Sequence, residues 1–322
     1  MFVSIVIATR NRSVLLGQTL RALARQTWPA AALEIIVSDN GSTDNTRDVV
    51  TSIEGTGCAV RYLSVPEPGK SHAVNAALGI ARGDVIAFTD DDVQPEPGWI
   101  ASLVRAFDET GADFVAGRIR PMWEVAPPQW MSPALHGVLA IPDNGDVRLP
   151  IAKGDTNQVM PIGANTAIRA RVLAQIGGLR TDLGKLNGSL RTGEDHELFL
   201  RLIHHGYRGV YEPGALVAHF VPASRLYRGY FRRWLFQNGG DVARIERRYR
   251  PPVSYWLGVP RYLWPEAVTD LVSAIRATFS GDARRRFAKS LRLFWFAGYV
   301  GETWFGAERA SEPATFAPAA PR

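Results

Sequence analysis

Five short apolar runs, separated by helix-like segments, occupy the first 118 residues and leave few architectures open. The runs are Val3–Ala8, Glu34–Ser38, Val60–Val65, Asp84–Phe88 and Asp113–Gly117. Between them, Ser13–Gln26, Thr46–Ile53, Ser71–Ala81 and Gly98–Phe107 carry helical patterning, with Leu16, Leu20 and Leu23 on one face of the first. Near-continuous apolar strands alternating with helices predict an α/β fold with a mostly parallel, helix-flanked sheet. Ligands of such sheets bind beyond the carboxyl ends of the strands. Polar clusters at Thr9–Arg12, Asp39–Asp44 and Asp90–Asp92 all fall at those ends, so they are expected to converge on one crevice.

The most telling cluster is Asp90-Asp91-Asp92, which follows the apolar run Val85–Phe88. Three adjacent carboxylates repel one another unless a cation or hydrogen-bond donors sit among them. At strand spacing Asp90 and Asp92 share one side and Asp91 faces the other. Two hard oxygen ligands on one side suit Mg²⁺ or Mn²⁺ held together with substrate phosphates. A solvated acidic turn accounts for the same residues, and these residues alone do not choose between the two.

Beyond Gly117 the pattern loosens. Prolines, tryptophans and glycines dominate Arg118–Pro161, which reads as a long functional excursion. Gly163–Ile168 returns to strand character, a short helix reaches Gly177-Gly178, and a Gly-rich, flexible loop spans Thr181–Gly193. Glu194–Leu202 is helical with acids in its first turn, where the helix dipole favours them. Gly209–Tyr211 and Ala215–His219 read as two strands, and from Arg225 the chain reads as helical. The stretches 225–236, Tyr255–Trp264 and Leu291–Phe305 mix aromatics with arginines. They suit interfacial helices on a membrane, or packing on the sheet or another subunit. Ala307–Arg322, rich in Pro and Ala, is expected to be disordered.

Composition narrows the setting. The 322 residues carry a net charge of +6 with the basic excess after position 200, which suits an anionic partner. One cysteine, Cys58, excludes an internal disulfide and fits a reducing compartment. Met1–Ala8 lacks the basic lead and cleavage site of a signal peptide. No apolar run reaches the roughly 20 residues of a membrane span. The expectation is a cytoplasmic protein, at most peripheral at the inner face of the cell membrane.

Two familiar motifs fail. Gly69-Lys70-Ser71 resembles the end of a phosphate-binding P-loop, but Ser64 stands where its first glycine belongs. No G-x-G-x-x-G follows a strand, which disfavours a dinucleotide-dependent oxidoreductase. The order Ser4–Arg12, Ile35–Asp44, Asp90-Asp91-Asp92 and Gly193-Glu194-Asp195 instead resembles the family 2 glycosyltransferases of GT-A fold, over roughly residues 2–240. That resemblance implies inverting transfer of a sugar from a nucleotide diphosphate donor, with Mg²⁺ or Mn²⁺.

Carried onto this chain, it gives Thr9, Arg10, Asn11 and Asp39 to the nucleotide, with Asn40 replacing a frequent second acid. Lys70 and Asn75 lie on the segment that approaches the nucleotide. Asp92 is the expected direct metal ligand; Asp90 is expected on ribose or a metal-bound water, Asp91 on the nucleotide, and His219 on the metal or diphosphate. Asp195 is the expected general base, beside Glu194. Gly163, Ala164 and Asn165 fall on the acceptor side, and Arg225, Arg228, Arg232, Arg233 and Gln237 where relatives cover the diphosphate.

The implied architecture is a GT-A domain over 1–223, with a donor half to about 118 and an acceptor half from 119. A helical, basic and aromatic region over 224–306 and the tail follow. The implied partners are a UDP-, GDP- or dTDP-sugar and a glycan or lipid-linked acceptor in cell-surface polysaccharide synthesis. Two other activities use the same residues: a Mg²⁺-dependent phospho- or nucleotidyltransferase, and a non-catalytic nucleotide-sugar-binding protein. Nucleic-acid binding rests on charge alone and has no recognisable module behind it.

Overall fold

The computed structural model describes residues 1–53, 57, 59–154, 159–184 and 190–306. Cys58, much of the Gly-rich loop and the tail from 307 lie outside the described residues.

The elements follow as β1 (Val3–Thr9), α1 (Ser13–Leu23), β2 (Leu33–Asp39), α2 (Thr46–Ile53), β3 (Ala59–Ser64), α3 (Lys70–Leu78), β4 (Val85–Asp90), β5 (Val93–Pro95), α4 (Trp99–Thr110) and β6 (Phe114–Trp123). After them come β7 (Leu149–Ile151), β8 (Asn165–Arg169), α5 (Ala170–Ile176), α6 (Glu194–His204), β9 (Gly209–Val221), α7 (Arg228–Tyr249), β10 (Tyr255–Trp256), β11 (Val259–Pro260), α8 (Leu263–Phe279) and α9 (Ala283–Phe305).

One sheet runs β3-β2-β1-β4-β8-β6-β9-β5, with β7 paired to β9 off that path. β3, β2, β1 and β4 are parallel; β2, β1 and β4 are buried between helices, which is why they are rich in apolar residues, while β3 lies at the edge and is partly exposed. Their register sets Thr9 beside Asp39 and Ala8 beside Asp90, so three polar termini share one edge of the sheet. β8 then enters antiparallel between β4 and β6, while β6 and β9 run parallel. One apolar cluster packs α1, α2 and α4 beneath the sheet, and a second packs α3, α5 and α6 on its other face.

The excursion after Gly117 begins later than its composition predicts. β6 continues to Trp123 because Arg118–Trp123 pairs with Leu216–Val221 of β9. The two strands read at 209–219 are a single strand. Glu212-Pro213-Gly214 resembles a turn but forms an irregularity in the pairing, opposite the register shift between Gly117 and Arg118. Tyr255–Trp264, expected as an interfacial helix, begins with the β10–β11 hairpin, whose turn places Leu257 at φ 51°. In 225–236 Tyr230 and Phe231 are buried, whereas Tyr227, Arg232, Arg233 and Phe236 are exposed. Arg228 stacks over Trp130 and Phe287, and Arg232 over Phe287 and Phe294.

Candidate active site

The three aspartates close β4 and open the turn to β5, and the structure gives each a different environment. Asp91 turns back toward β1. It accepts from the Thr9 hydroxyl at 2.8 Å and the Arg12 guanidinium at 2.9 Å, while its backbone carbonyl accepts from Thr19 at 3.0 Å. Burial, reinforced by Asp92 and opposed by Arg12, pushes the Asp91 carboxyl up to about 6. Asp90 ends the strand while Asp91 and Asp92 form a turn, so strand alternation does not apply to them: Arg12 bonds both Asp91 and Asp92, and Asp90 and Asp92 meet His219 of β9. Ligand atoms of these three residues all lie within 4.8 Å of one another.

Asp92 Oδ1 is buried, takes no hydrogen bond among the described residues and sits 3.3 Å from His219 Nε2. Burial alone would raise its pKa. His219, Arg12 and Arg225 overcome that and hold Asp92 well below the carboxylate range. An ionised, buried and unsatisfied oxygen beside a second carboxylate and an imidazole is a donor set suited to a divalent cation of the Mg²⁺ or Mn²⁺ kind. Arg12 donates to Asp92 at 2.8 Å, and Arg225 lies 3.9 Å from it.

Lys70 joins this cluster to the acids of α6. It is the first residue of α3, and its ammonium lies 2.9 Å from Asp90, 3.8 Å from Glu194 and 3.9 Å from Asp195. Burial works against the charge, but the three carboxylates raise the Lys70 pKa well above its ordinary value. Asn40 presents this lysine. Its amide donates to the carbonyls of Val65 and Glu67, and its Oδ1 accepts from the Gly69 N–H at 2.7 Å. A carboxylate at position 40 has no protons to give those two carbonyls, so the asparagine that departs from the family pattern holds the loop before Lys70.

Asp195 opens α6 after Gly193, whose φ of 107° lets the chain turn into the helix. Its Oδ2 accepts from the Gly163 N–H at 3.2 Å. A methyl group on Gly163 would stand 2.5 Å from Asp195 Cγ and 2.6 Å from Oδ1, so glycine there makes room for the carboxylate. Below it the buried pair Glu197–Arg201, at 3.0 Å, anchors the helix, with Tyr249 donating to Glu197 at 2.5 Å and Arg201 to the carbonyl of Gly178 at 2.7 Å.

Thr9, Arg10, Asn40, Lys70, the three aspartates, His219 and Arg225 line one cavity of about 300 Å³. Other expected site residues lie apart from it. Asn75 is taken up by the backbone of Leu179, donating at 2.8 Å and accepting at 2.8 Å, so it locks α3 to the turn after α5. Asn165 is buried. It accepts from the Trp99 indole and donates to the carbonyls of Arg118 and Ala215, which ties β8 to its surroundings. Ala164 is buried too, its carbonyl accepting from Thr89. Asp39 lies behind Asn40, its oxygens accepting from Ser42 N–H and the Tyr62 hydroxyl. Asn11, at φ 53°, accepts from the Thr43 N–H and links the loops after β1 and β2.

Arg228 and Arg232 lie on aromatic rings, Arg233 donates to the Tyr227 hydroxyl, and Gln237 is on α7 with a buried Oε1. None of these four lines the cavity. Reading the sequence left out Arg12, whose signal was its place in the polar group ending β1. It also did not single out Arg225 among its neighbouring arginines.

A family model, Glycosyl transferase family 2, matches residues 4–177. The chain belongs to glycosyl transferase family 2. Membership places it in a class of sugar-transferring enzymes, and the triple aspartate and Gly163 fall within the match. The chain is 30% identical over 251 residues to the pre-mycofactocin glycosyltransferase of Mycobacterium tuberculosis, covering 77% of this chain and 48% of that one. It is 40% identical over 105 residues to the validoxylamine A glucosyltransferase of Streptomyces hygroscopicus, covering 32% and 25%. The chain spans about half or less of the length of these relatives.

In three dimensions it resembles the mannosyltransferase PcManGT of Pyrobaculum calidifontis, solved with GDP-Man and Mn²⁺, at TM-score 0.66 and 20% identity, covering 94% of this chain and 87% of that one. It also resembles S. aureus TarS solved with UDP-GlcNAc, at TM-score 0.56 and 14% identity, covering 98% and 100%. The fold is thus of GT-A type with a helical C-terminal region. No helix among the described residues is long and apolar enough to cross a membrane.

Proposed function

We propose that the protein is an inverting glycosyltransferase that moves a sugar from a nucleoside diphosphate sugar to a hydroxyl of a glycan or lipid-linked acceptor. The observation that carries this reading is Lys70, whose ammonium contacts Asp90 of the cation cluster and lies within 4 Å of Asp195 on α6. One lysine therefore links the groups for a diphosphate to the group for an acceptor proton, although Asp195 does not itself line the cavity of the aspartates.

In this reading Asp90, Asp92 and His219 would hold a divalent cation, which would supply positive charge to a departing diphosphate. Arg225 and Arg12 add fixed positive charge beside Asp92. Thr9, Arg10 and Asn40 face the nucleotide. Asp195 takes the proton of the acceptor hydroxyl while its oxygen bonds to the anomeric carbon and the bond to the diphosphate oxygen breaks. UDP-, GDP- and dTDP-sugars are the donors to test. Of the metals, Mn²⁺ and Mg²⁺ suit the ligand set equally. A growing cell-surface glycan is the acceptor class the family resemblance implies.

The test uses nucleotide sugars with Mn²⁺. A thermal-shift series identifies the donor, since a ligand at 100 times its Kd stabilises the fold by about 2.7 kcal/mol. The donor so found is then followed for product. Release of an intact nucleoside diphosphate with transfer supports the reading, whereas release of nucleoside monophosphate or inorganic phosphate refutes it. Asp195→Asn is expected to keep donor binding and lose transfer. A binding module without catalysis would be unaffected by it.

A further inference from the structure

The outer face of α8 is apolar and uncovered among the described residues. Its buried positions, Leu263, Asp270 and Ala277, recur every seventh residue and face the rest of the protein. On the opposite side Val268, Leu271, Val272, Ile275 and Phe279 follow helical spacing and are between 41% and 87% exposed. Five large side chains on one stripe are not the scattered exposure expected of a soluble surface.

Two neighbouring features decide what the stripe meets. At its first end Trp264, on the same helical face, stacks with Trp256 at 5.0 Å and lies 6.3 Å from Trp304. Trp256 and Trp304 are both about half exposed. Amphipathic indoles of this kind settle where an apolar medium meets water. At its second end α9 opens with Arg284, Arg285 and Arg286, all exposed, and Arg276 flanks the stripe. Between 267 and 281 the one acid is Asp270, which is buried against Lys289 and Arg292. The surface is therefore apolar along its centre and cationic at its edge, and the nearest exposed acids, Glu266 and Asp282, lie at its two ends, Glu266 paired with Arg292 and Asp282 accepting from the Arg285 N–H.

We propose that α8 lies flat on an anionic lipid bilayer, with the five apolar side chains in the acyl boundary and the arginines among the headgroups. A helix of 17 residues is about 25 Å long, so the stripe runs along one side of α8 with the indoles near its start and the α9 arginines following its end. The inference does not depend on the catalytic reading, since no residue of the stripe lines the cavity of the aspartates. It also extends the membrane contact expected of Tyr255–Trp264 and Leu291–Phe305, which supply the three indoles, to the apolar stripe of α8 that lies between them in the sequence.

The test is flotation of the full chain with vesicles of phosphatidylcholine alone and of phosphatidylcholine with 30% phosphatidylglycerol. Binding to the anionic vesicles, weakened in 0.5 M salt, is expected. The triple variant Arg284→Gln, Arg285→Gln, Arg286→Gln should bind roughly 100-fold more weakly, at about fivefold per arginine. Val268→Ser, Leu271→Ser and Ile275→Ser together should abolish binding, with the thermal midpoint unchanged because these side chains are exposed.

Absence of binding to anionic vesicles overturns the proposal, as does equal binding by the serine variant. It is likewise overturned if the protein is a dimer that the serine variant converts to monomer while flotation persists. Binding that appears only after removal of residues 307–322 also overturns it for the full chain and assigns the stripe to the tail.

Discussion

Replacing Gly163 by alanine isolates the position of one carboxylate. The new methyl carbon would stand 2.5 Å from Asp195 Cγ and 2.6 Å from its Oδ1. Ordinary carbon contacts begin at about 3.4 Å, so the carboxylate must retreat by roughly 1 Å. Among the described residues it is held by the Gly163 N–H bond of 3.2 Å, which the retreat stretches further, and by Lys70 at 3.9 Å. The side chain is about a quarter exposed, so it can move without opening the core. Misplacing a reacting group by this distance costs on the order of 100-fold in rate, or about 2.7 kcal/mol of barrier. Nucleoside diphosphate release from the donor should fall by that factor in kcat, while calorimetric binding of the nucleoside diphosphate and the melting temperature stay at wild-type values. Gly98→Ala, where a methyl meets nothing within 4 Å, serves as the control. An unchanged kcat in Gly163→Ala would refute Asp195 as the group that takes the acceptor proton. A lost melting transition would show instead that the acceptor side cannot yield, and Gly163→Ser would then fail in the same way.

Other consequences are open to measurement. Lys70→Met removes the cation that now sits 2.9 Å from Asp90, so Mn²⁺ should bind several-fold more tightly while transfer is lost; weaker Mn²⁺ binding in titration calorimetry contradicts the arrangement. Asp92→Asn should abolish stabilisation by Mn²⁺ in thermal melts, and Asp91→Asn should retain it, because Asp91 is held by Thr9 and Arg12 and is not among the three residues whose ligand atoms converge. Asp241 is buried, and burial raises its carboxyl to about 6, partly offset by the Thr192 N–H. A carboxyl raised in the folded state favours folding below its unfolded pKa and loses that contribution as pH rises through about 6. Asp241→Asn should therefore gain stability over the native protein between pH 4 and 8, by up to roughly 3 kcal/mol in denaturant melts; no pH-dependent difference would count against the burial. Glu34 is fully buried, accepting from Ser4 at 2.6 Å and from the Arg82 guanidinium at 2.9 Å. Glu34→Ala should cost about 1–3 kcal/mol, chiefly by leaving the buried Ser4 hydroxyl without its acceptor, since Arg82 is half exposed and keeps its hydration.

Much of the donor half was legible in the sequence because its signals are local. An apolar run that ends on Thr-Arg-Asn-Arg or Asp-Asp-Asp states both a strand and its terminus, and parallel pairing brings such termini together. Strand direction carries no comparable mark, so nothing in Asn165–Arg169 announces that β8 runs antiparallel beside β4. Glu212-Pro213-Gly214 has turn composition, yet pairing with β6 and β7 carries the strand through it. Side-chain roles divide the same way. The convergence of Asp90 with His219 follows from topology, whereas the capture of Asn75 and Asn165 by backbone groups depends on contacts from distant segments. Arginine is the least readable residue: Arg225 reaches Asp92 while Arg228, three positions on, lies over Trp130. Composition cannot separate them, and only the path of the chain between β9 and α7 does.

The antiparallel insertion of β8 also sets an order of assembly. Until residues 165–169 are made, β4 has a partner on one side only, and its second row of backbone groups is open to solvent. The nascent chain thus carries Asp90, Asp91 and Asp92 on an unfinished sheet, with Lys70 already at hand but neither Asp195 nor His219 yet synthesised. At ordinary translation rates the interval between Asp92 and His219 is on the order of 10 s. During that time the exposed edge is the chain's most vulnerable surface for pairing with another molecule. Substitutions that weaken the Asn165 hydrogen bonds should therefore reveal themselves first as aggregation during synthesis, before any loss in the activity of the protein that does fold.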